Sequence, residues 1–263
     1  MSEVEESPAQ RVKWPLSRQR LIEMAVVVFG VMIALGLENA VEEIRLRGDA
    51  RDLEEAFRTD VFRAVKGSWE RQVIAPCLTR NLSSLTERVI AADGAWQAAP
   101  AVSTGTIPFA MPQPYRVPSR VWTTTAFDRA LGSEAFKRIP RERAEAYAGL
   151  FSMVELRRED NAAEYLATSS LAPLAFPQTG IDAEVRAALL QSLALADRHR
   201  GLALVQSNQI MAAALALRGG ADIRAEVLAR RAEFDESTEN ARTNYGDCID
   251  PGATDRLMKA AAS

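Results

Sequence analysis

The sequence has few of the side chains that hold metal ions. It contains two cysteines, Cys77 and Cys248, and a single histidine, His199. Structural zinc sites use clusters of Cys and His at short spacings such as C-x-x-C, so this composition excludes them, and we expect no metal and no cofactor. In an oxidising compartment Cys77 and Cys248 could pair, and elsewhere they would be two independent thiols. The sequence leaves both alternatives open.

Motifs of the common catalytic and nucleotide-binding sites are absent as well. The chain has no G-x-S-x-G, no Walker A loop, no G-x-G-x-x-G and no H-E-x-x-H. Adjacent acids such as Glu54 and Glu55 point in different directions on a helix, so they do not form an acid/base pair. We therefore expect a protein that is not an enzyme.

Excess positive charge is lacking beyond the N-terminal tail. The 263 residues include 32 Lys and Arg against 35 Asp and Glu, a net charge of −3, which excludes nucleic acid as a partner. Aromatic residues make up only 6% of the chain, and alanine is abundant. This balance favours helices over sheets, so the predicted fold class is all-α.

One long apolar run is present. Met24–Leu37 carries no charge and would span about 21 Å as a helix, against about 30 Å of bilayer hydrocarbon. Extension from Leu21 to Val41 reaches about 31 Å and places Glu23 and Glu38 near the ends, where headgroups can reach them. The run has no polar face, unlike a surface helix. We predict a transmembrane helix over residues 18–41, with the lipid bilayer as its surroundings.

Two other interpretations of this run remain open, a buried core helix and the apolar region of a cleaved signal peptide. Ala34-Leu35-Gly36 could serve as a cleavage site. The helical pattern continues through it to Glu42 without a Pro or Ser break, which favours an uncleaved anchor.

The charges that flank the run give its orientation. Four Lys or Arg residues lie at positions 11–20 and two at positions 41–50, so the positive-inside rule places the N-terminus in the cytoplasm. Counting to position 58 makes the two sides equal. The expected location is the cytoplasmic (inner) membrane, with the C-terminal domain in a periplasm. Residues 1–17 are polar, contain two prolines and are predicted to be a disordered tail.

Small residues within the run offer a packing surface. Gly30 and Ala34 are four positions apart, a spacing that lets two membrane helices approach closely. Glycine and alanine are also common in membrane helices generally. The pair is therefore either a surface for self-association or part of the ordinary composition of a membrane helix.

A longer pattern in this region resembles a known family. It consists of Glu23, Gly30, Ala34-Leu35, Asn39 and Glu42, an E-x6-G-x3-A-L-x3-N-x2-E signature. The pattern is similar to the N-terminus of a family of uncharacterised bacterial single-pass membrane proteins, which join a short basic tail, a membrane helix and a longer helical region. Ala40 stands where many relatives carry Trp. The resemblance implies this topology and no activity.

Helical periodicity continues beyond the membrane run. Leu53, Phe57, Val61, Val65 and Trp69 recur every four residues, which predicts a stalk that extends the membrane helix. Pro76 is expected to stop it. A second helix over 77–92 would then fold back antiparallel on the first.

Residues 93–120 break the helical pattern with five prolines and predict an irregular, Pro-rich loop. The loop carries aromatic residues, so it either wraps over a helical bundle or offers a docking surface. If a ligand pocket lies beneath it, Trp96, Trp122 and Tyr147 are its candidate residues.

The rest of the chain predicts several more helices. Pro140 suits a first turn, Asp182 is a good N-cap, Gly219-Gly220 a stop, and Asp222 caps a last long helix that fades after Asn240. Gly201 would kink or split the helix that Asp182 begins.

Residues 42–263 are thus predicted to form an antiparallel helical bundle. We expect it to bind another envelope protein or itself. The alternative is a small-molecule sensor or carrier.

Overall fold

The computed structural model describes residues 18–93, 95–102, 113–118 and 120–263. The predicted tail and residues 94, 103–112 and 119 of the predicted loop lie outside them. The described part is all-α and has no strand. Its helices are α1 (Arg18–Ala91), α2 (Thr125–Ala130), α3 (Arg141–Ser169), α4 (Ala183–Ala216), α5 (Arg224–Ala229), α6 (Arg231–Tyr245) and α7 (Ala253–Ala262), with short 3-10 turns at Phe136–Arg138 and Ala172–Ala175.

The chain divides into two compact units, Met1–Gly48 and Asp49–Ser263. In the first unit, the described residues are the N-terminal part of α1. Its large apolar side chains from Leu21 to Leu37 are all exposed, each by about half or more. This segment is long and apolar enough to cross a membrane.

The core of the second unit forms around the α1 residues that the four-residue spacing selects. Phe57, Val61, Val65 and Trp69 are almost fully buried. Phe57 contacts two rings of α3, and its ring centroid lies 5.3 Å from that of Tyr147 and 5.6 Å from that of Phe151. Such edge-on contacts are the favoured arrangement of aromatic pairs.

The expected helix break at Pro76 is wrong, and so is the separate second helix over 77–92. The α1 helix continues through Pro76 to Ala91. Proline removes one backbone donor and disturbs the carbonyls of the preceding turn. In that turn the carbonyl of Val73 accepts a hydrogen bond from the backbone N–H of Asp250, at 2.7 Å. A residue far along the chain thus pairs with the backbone of the proline-containing turn.

The described parts of the Pro-rich segment pack against the helices. Trp96 forms an isolated β-bridge with Gln178, and its indole N–H donates to the carbonyl of Leu174 at 3.1 Å. Further along, Tyr115 and Val117 are buried, and Asn81 on α1 donates to the carbonyl of Pro114 at 3.0 Å.

The remaining helices follow the capping signals in part. The expected cap at Asp222 is wrong, because the N-cap of α5 is Ile223, which makes no side-chain cap bond. The α4 helix ends at Ala216, before Gly219-Gly220. Asp182 caps α4 by accepting from the N–H of Val185 at 2.8 Å. The expected kink or split at Gly201 is wrong, because α4 continues through it. The last long helix is split at Arg230 into α5 and α6, and α6 continues past Asn240 to Tyr245.

Candidate functional site

A cavity in the second unit lies between α1 and α6, and we call it the α1–α6 groove. Its volume is about 530 Å³. The α1 wall uses positions three or four apart, which share one helix face. These residues are Thr59, Phe62, Arg63, Lys66, Gly67, Trp69 and Glu70.

The opposite wall comes from the C-terminal helices. One end of the groove is lined by Glu226, which lies in α5, and by Arg230, which follows the last residue of α5. The α6 residues recur with the same helical spacing and are Glu233, Ser237, Asn240, Ala241, Asn244 and Tyr245, while Arg120 and Val121 close the rim. The side chains of Ser237, Asn240 and Asn244 make no hydrogen bond within the described part of the chain.

Contacts at both ends show that α6 follows α1 in the same direction. The guanidinium of Arg230, before α6, lies 4.5 Å from the ring centroid of Phe62. Beyond the other end of α6, Cys248 is bonded to Cys77, well along α1. The groove is therefore a cleft that runs along two helices.

The floor of the groove is apolar and held by the core. Phe234 packs edge-on against Phe62 and Trp69, with ring centroids at 6.1 Å and 4.9 Å. Gly67 lies beside them, and a side chain there would meet the indole of Trp122 at 3.3 Å. The missing Cβ of Gly67 thus leaves room for the close approach of Trp122 to α1.

Charges around the groove are paired. Lys66 bonds Glu233 across the groove. Arg120 is bidentate to Glu70, with N–O distances of 2.5 Å and 2.6 Å. Arg230 pairs with Glu226 at 2.7 Å. A site with its charges matched in this way offers little to a highly charged ligand.

Arg63, also in the α1 wall, pairs with the buried Asp60 at 3.2 Å. At the C-terminal end of the groove, burial and then the charge of Glu70 raise the pKa of Tyr245 to about 12. Its phenol therefore stays protonated and keeps its hydrogen-bond donor at neutral pH.

The structure joins the two predicted cysteines. Cys77 and Cys248 form a disulfide across 171 positions of sequence. The bond lies one turn of α1 beyond the Val73–Asp250 hydrogen bond. Together the two links hold the segment that follows α6, and with it the end of the groove, against α1.

The three residues predicted to line a pocket are each buried at different contacts. The guanidinium carbon of Arg88 lies over Trp96, 5.1 Å from the centroid of the Trp96 ring. Trp122 lies beside Gly67 and Arg157. The Tyr147 hydroxyl donates to Glu54 at 2.9 Å and accepts from the N–H of Ala221 at 3.0 Å. None of the three lines the groove.

Gly30 and Ala34 lie on the exposed segment of α1, and a side chain at Gly30 would meet no neighbouring atom. No contact of this pair with a second helix is present in the described residues, so its role in helix packing stays a prediction.

Sequence reasoning missed the groove, although part of its signal is visible. Ser237, Asn240 and Asn244 share one helix face only if the last helix runs past Asn240. The predicted end at Asn240 removed Asn244 from that face.

A second feature that the sequence did not reveal is a buried ion-pair network. Glu164 of α3, fully buried, accepts from Arg71 of α1 at 2.8 Å and from Arg157 of α3 at 2.7 Å. Arg71 also donates to the carbonyl of Pro118 at 3.1 Å, and Arg157 donates to Gln206 of α4 at 3.3 Å. Burial, followed by the charge of Arg71, lowers the pKa of Arg157. This network ties α1, α3, α4 and the Pro-rich segment together.

No group of three or more His, Cys, Asp or Glu side chains in the described ranges has the arrangement of a metal site. Comparison of the chain with protein-family models, with curated proteins and with solved structures finds no match. The likeness of the N-terminal pattern to an uncharacterised single-pass family therefore stays a prediction.

Proposed function

We propose that this chain is a single-pass membrane protein whose helical unit binds another envelope protein or a second copy of itself, without catalysing a reaction. The observation that carries the proposal is the α1–α6 groove. It combines an apolar floor with polar side chains that have no internal partner, and such a combination is typical of recognition sites. The absence of catalytic motifs from the sequence agrees with a binding role.

The proposed location is the inner membrane of a bacterial cell. Residues 18–41 would span the bilayer, the basic N-terminus would face the cytoplasm, and residues 42–263 would lie in the periplasm. The Cys77–Cys248 disulfide supports this orientation, because structural disulfides persist in oxidising compartments.

A thiol-trapping experiment tests the orientation. Cells that express the full chain are treated with a membrane-permeant alkylating reagent before lysis, and the protein is compared with and without reductant on a gel. We expect Cys77 and Cys248 to escape alkylation and the mobility to change on reduction. The variants Cys77→Ser and Cys248→Ser are the controls. Alkylation of both thiols in intact cells would reverse the orientation.

In-cell photo-crosslinking tests the binding role. A photoreactive residue is placed at Val121, Leu166 or Leu195, whose exposed fractions are 89%, 71% and 44%. Val121 lies at the groove rim, and the other two lie on α3 and α4 outside the groove. We expect discrete adducts on irradiation that are absent in the dark. If no position gave an adduct, the binding function would be wrong.

A small-molecule sensor or carrier is the second candidate. The groove volume of about 530 Å³ falls within the roughly 300–1,000 Å³ of ligand pockets. The mass of the crosslinked adducts separates the candidates, because a protein partner adds a polypeptide to the chain and a small ligand leaves its gel mobility almost unchanged.

A further inference from the structure

We propose that the α1–α6 groove binds an extended peptide segment of the partner, with α6 pairing to its backbone. This inference rests on the proposed binding function and gives the partner's segment a definite chemistry. It begins from three α6 side chains that face the groove, Ser237, Asn240 and Asn244.

The chemistry of these side chains matches a peptide backbone. An asparagine amide carries a carbonyl acceptor and an N–H donor, as a peptide group does. Backbone groups that leave water on binding need hydrogen-bond partners. Asn240 and Asn244 have this capacity free within the described part of the chain, since neither makes an internal hydrogen bond.

Their spacing also fits an extended chain. Asn240 and Asn244 are four residues apart, a rise of about 6 Å along a helix. An extended strand presents equivalent groups every two residues, about 6.6–6.8 Å apart. One amide can therefore meet one peptide group, and the next amide can meet the group two residues on. Ser237, just under one turn earlier, extends the row toward Glu233.

The rest of the groove suits a peptide of little net charge. The cations Lys66, Arg120 and Arg230 already have carboxylate partners, so a phosphate or a strongly acidic ligand would have to displace them. Val121 at the rim is 89% exposed and can cover an apolar side chain of the peptide. These features favour an uncharged, extended segment with apolar side chains at intervals.

The test uses the full chain in lipid nanodiscs and a displayed library of random 12-residue peptides, with empty nanodiscs for subtraction. Individual enriched peptides are then measured against the wild type and the double variant Asn240→Ala/Asn244→Ala. Alanine favours helix more than asparagine does, so α6 is retained. The matched control is Gln191→Ala/Gln209→Ala, which removes two exposed amides of α4 outside the groove.

We expect enriched peptides to lose about tenfold or more in affinity for the Asn240/Asn244 variant, the effect of two lost hydrogen bonds, and to bind the control like the wild type. Equal binding to both variants, or no enrichment over empty nanodiscs, would overturn the inference. If peptides fail while crosslinks still form at Leu166 or Leu195, the binding function stands and the peptide assignment falls. If crosslinking fails too, both are wrong.

Discussion

Gly220 is the residue at which three parts of the helical unit meet. Its φ of +41° lies in the left-handed region, and a Cβ there would overlap the Glu54 carboxylate and the Tyr147 hydroxyl. Its carbonyl accepts from Arg58 at 3.1 Å. Gly220 lies in the turn between α4 and α5 and packs against the polar contact between Glu54 of α1 and Tyr147 of α3.

Replacing this glycine is expected to destabilise the fold. For Gly220→Ala, the positive φ alone costs about 1–3 kcal/mol, and the overlap with Glu54 and Tyr147 adds to it. The measurement is the free energy of unfolding by urea. Gly149→Ala is the matched control, because Gly149 lies inside α3 with open space around it, where alanine should stabilise by up to about 1 kcal/mol. Equal effects of the two changes would contradict this account.

Three tyrosines with raised pKa values, Tyr115, Tyr147 and Tyr245, predict a loss of stability at alkaline pH. Burial raises the pKa of Tyr147 to about 12 and the pKa of Tyr115 above its ordinary 10. Between pH 10 and 12 the unfolded chain loses phenol protons that the folded chain keeps. Stability is therefore fully present below pH 10 and falls as the pH rises toward 12.

The matched variants are Tyr115→Phe and Tyr147→Phe, compared by urea midpoint from pH 8 to pH 11.5. Both should reduce the alkaline loss. At pH 8 they should differ, because the Tyr115 hydroxyl is buried with no hydrogen-bond partner among the described residues, whereas Tyr147 has two. We expect Tyr147→Phe to cost about 1–3 kcal/mol and Tyr115→Phe to cost nothing or to stabilise. A flat pH profile for the wild type would contradict the argument.

At the scale of elements, α1 and α3 are joined through opposite charges inside the core. Arg71, Arg157 and Glu164 are each at most 3% exposed. A buried ion pair is weak evidence for stability, but removing one partner leaves an uncompensated charge. Here the removal of Glu164 would leave two arginines without their shared carboxylate.

We therefore expect Glu164→Gln to lower the free energy of unfolding by about 3–5 kcal/mol. The control is Glu159→Gln on the exposed face of the same helix, for which the change should stay within about 0.5 kcal/mol. Urea denaturation of both variants is the measurement. A small cost for Glu164→Gln would mean that water or a neighbouring group compensates the arginines.

Local signals were enough to predict several elements and insufficient for others. The all-α class followed from composition and periodicity, and the cap of Asp182 followed from short-range chemistry. The continuation of α1 through Pro76 was not predicted, because a proline ordinarily ends a helix. The hydrogen bond from the N–H of Asp250 to the Val73 carbonyl in this turn joins positions 177 apart, which local signals do not reveal.

The candidate site depends on the same kind of long-range information. The apolar α1 positions that recur every four residues were visible as a core pattern. The polar residues Lys66 and Glu70 beside them form a groove wall only because α6 lies next to α1. The Arg71–Glu164–Arg157 network likewise joins positions about 90 apart, and no single-sequence signal distinguishes these charges from a solvated face.

At the scale of the molecule, one covalent bond closes a loop over most of the helical unit. Cys77 and Cys248 enclose 171 positions, which include α2 to α6. In the chain-entropy description, a crosslink over so long a loop stabilises by up to about 5 kcal/mol, because it restricts the unfolded chain. The disulfide also holds the segment after α6 against α1, so we expect its loss to loosen that end of the groove.

The prediction is that reductant lowers the urea midpoint of the full chain in detergent, followed through tryptophan fluorescence, since Trp69, Trp96 and Trp122 all lie in the helical unit. The variant Cys77→Ser/Cys248→Ser should unfold at the midpoint of the reduced wild type and should not respond to reductant. Peptides selected for the groove should bind the reduced protein more weakly, because the residues after Tyr245 would then be held by the Asp250–Val73 hydrogen bond without the disulfide. An unchanged midpoint on full reduction would mean that the helices reach their arrangement without the crosslink, and that the cysteines contribute nothing to the fold.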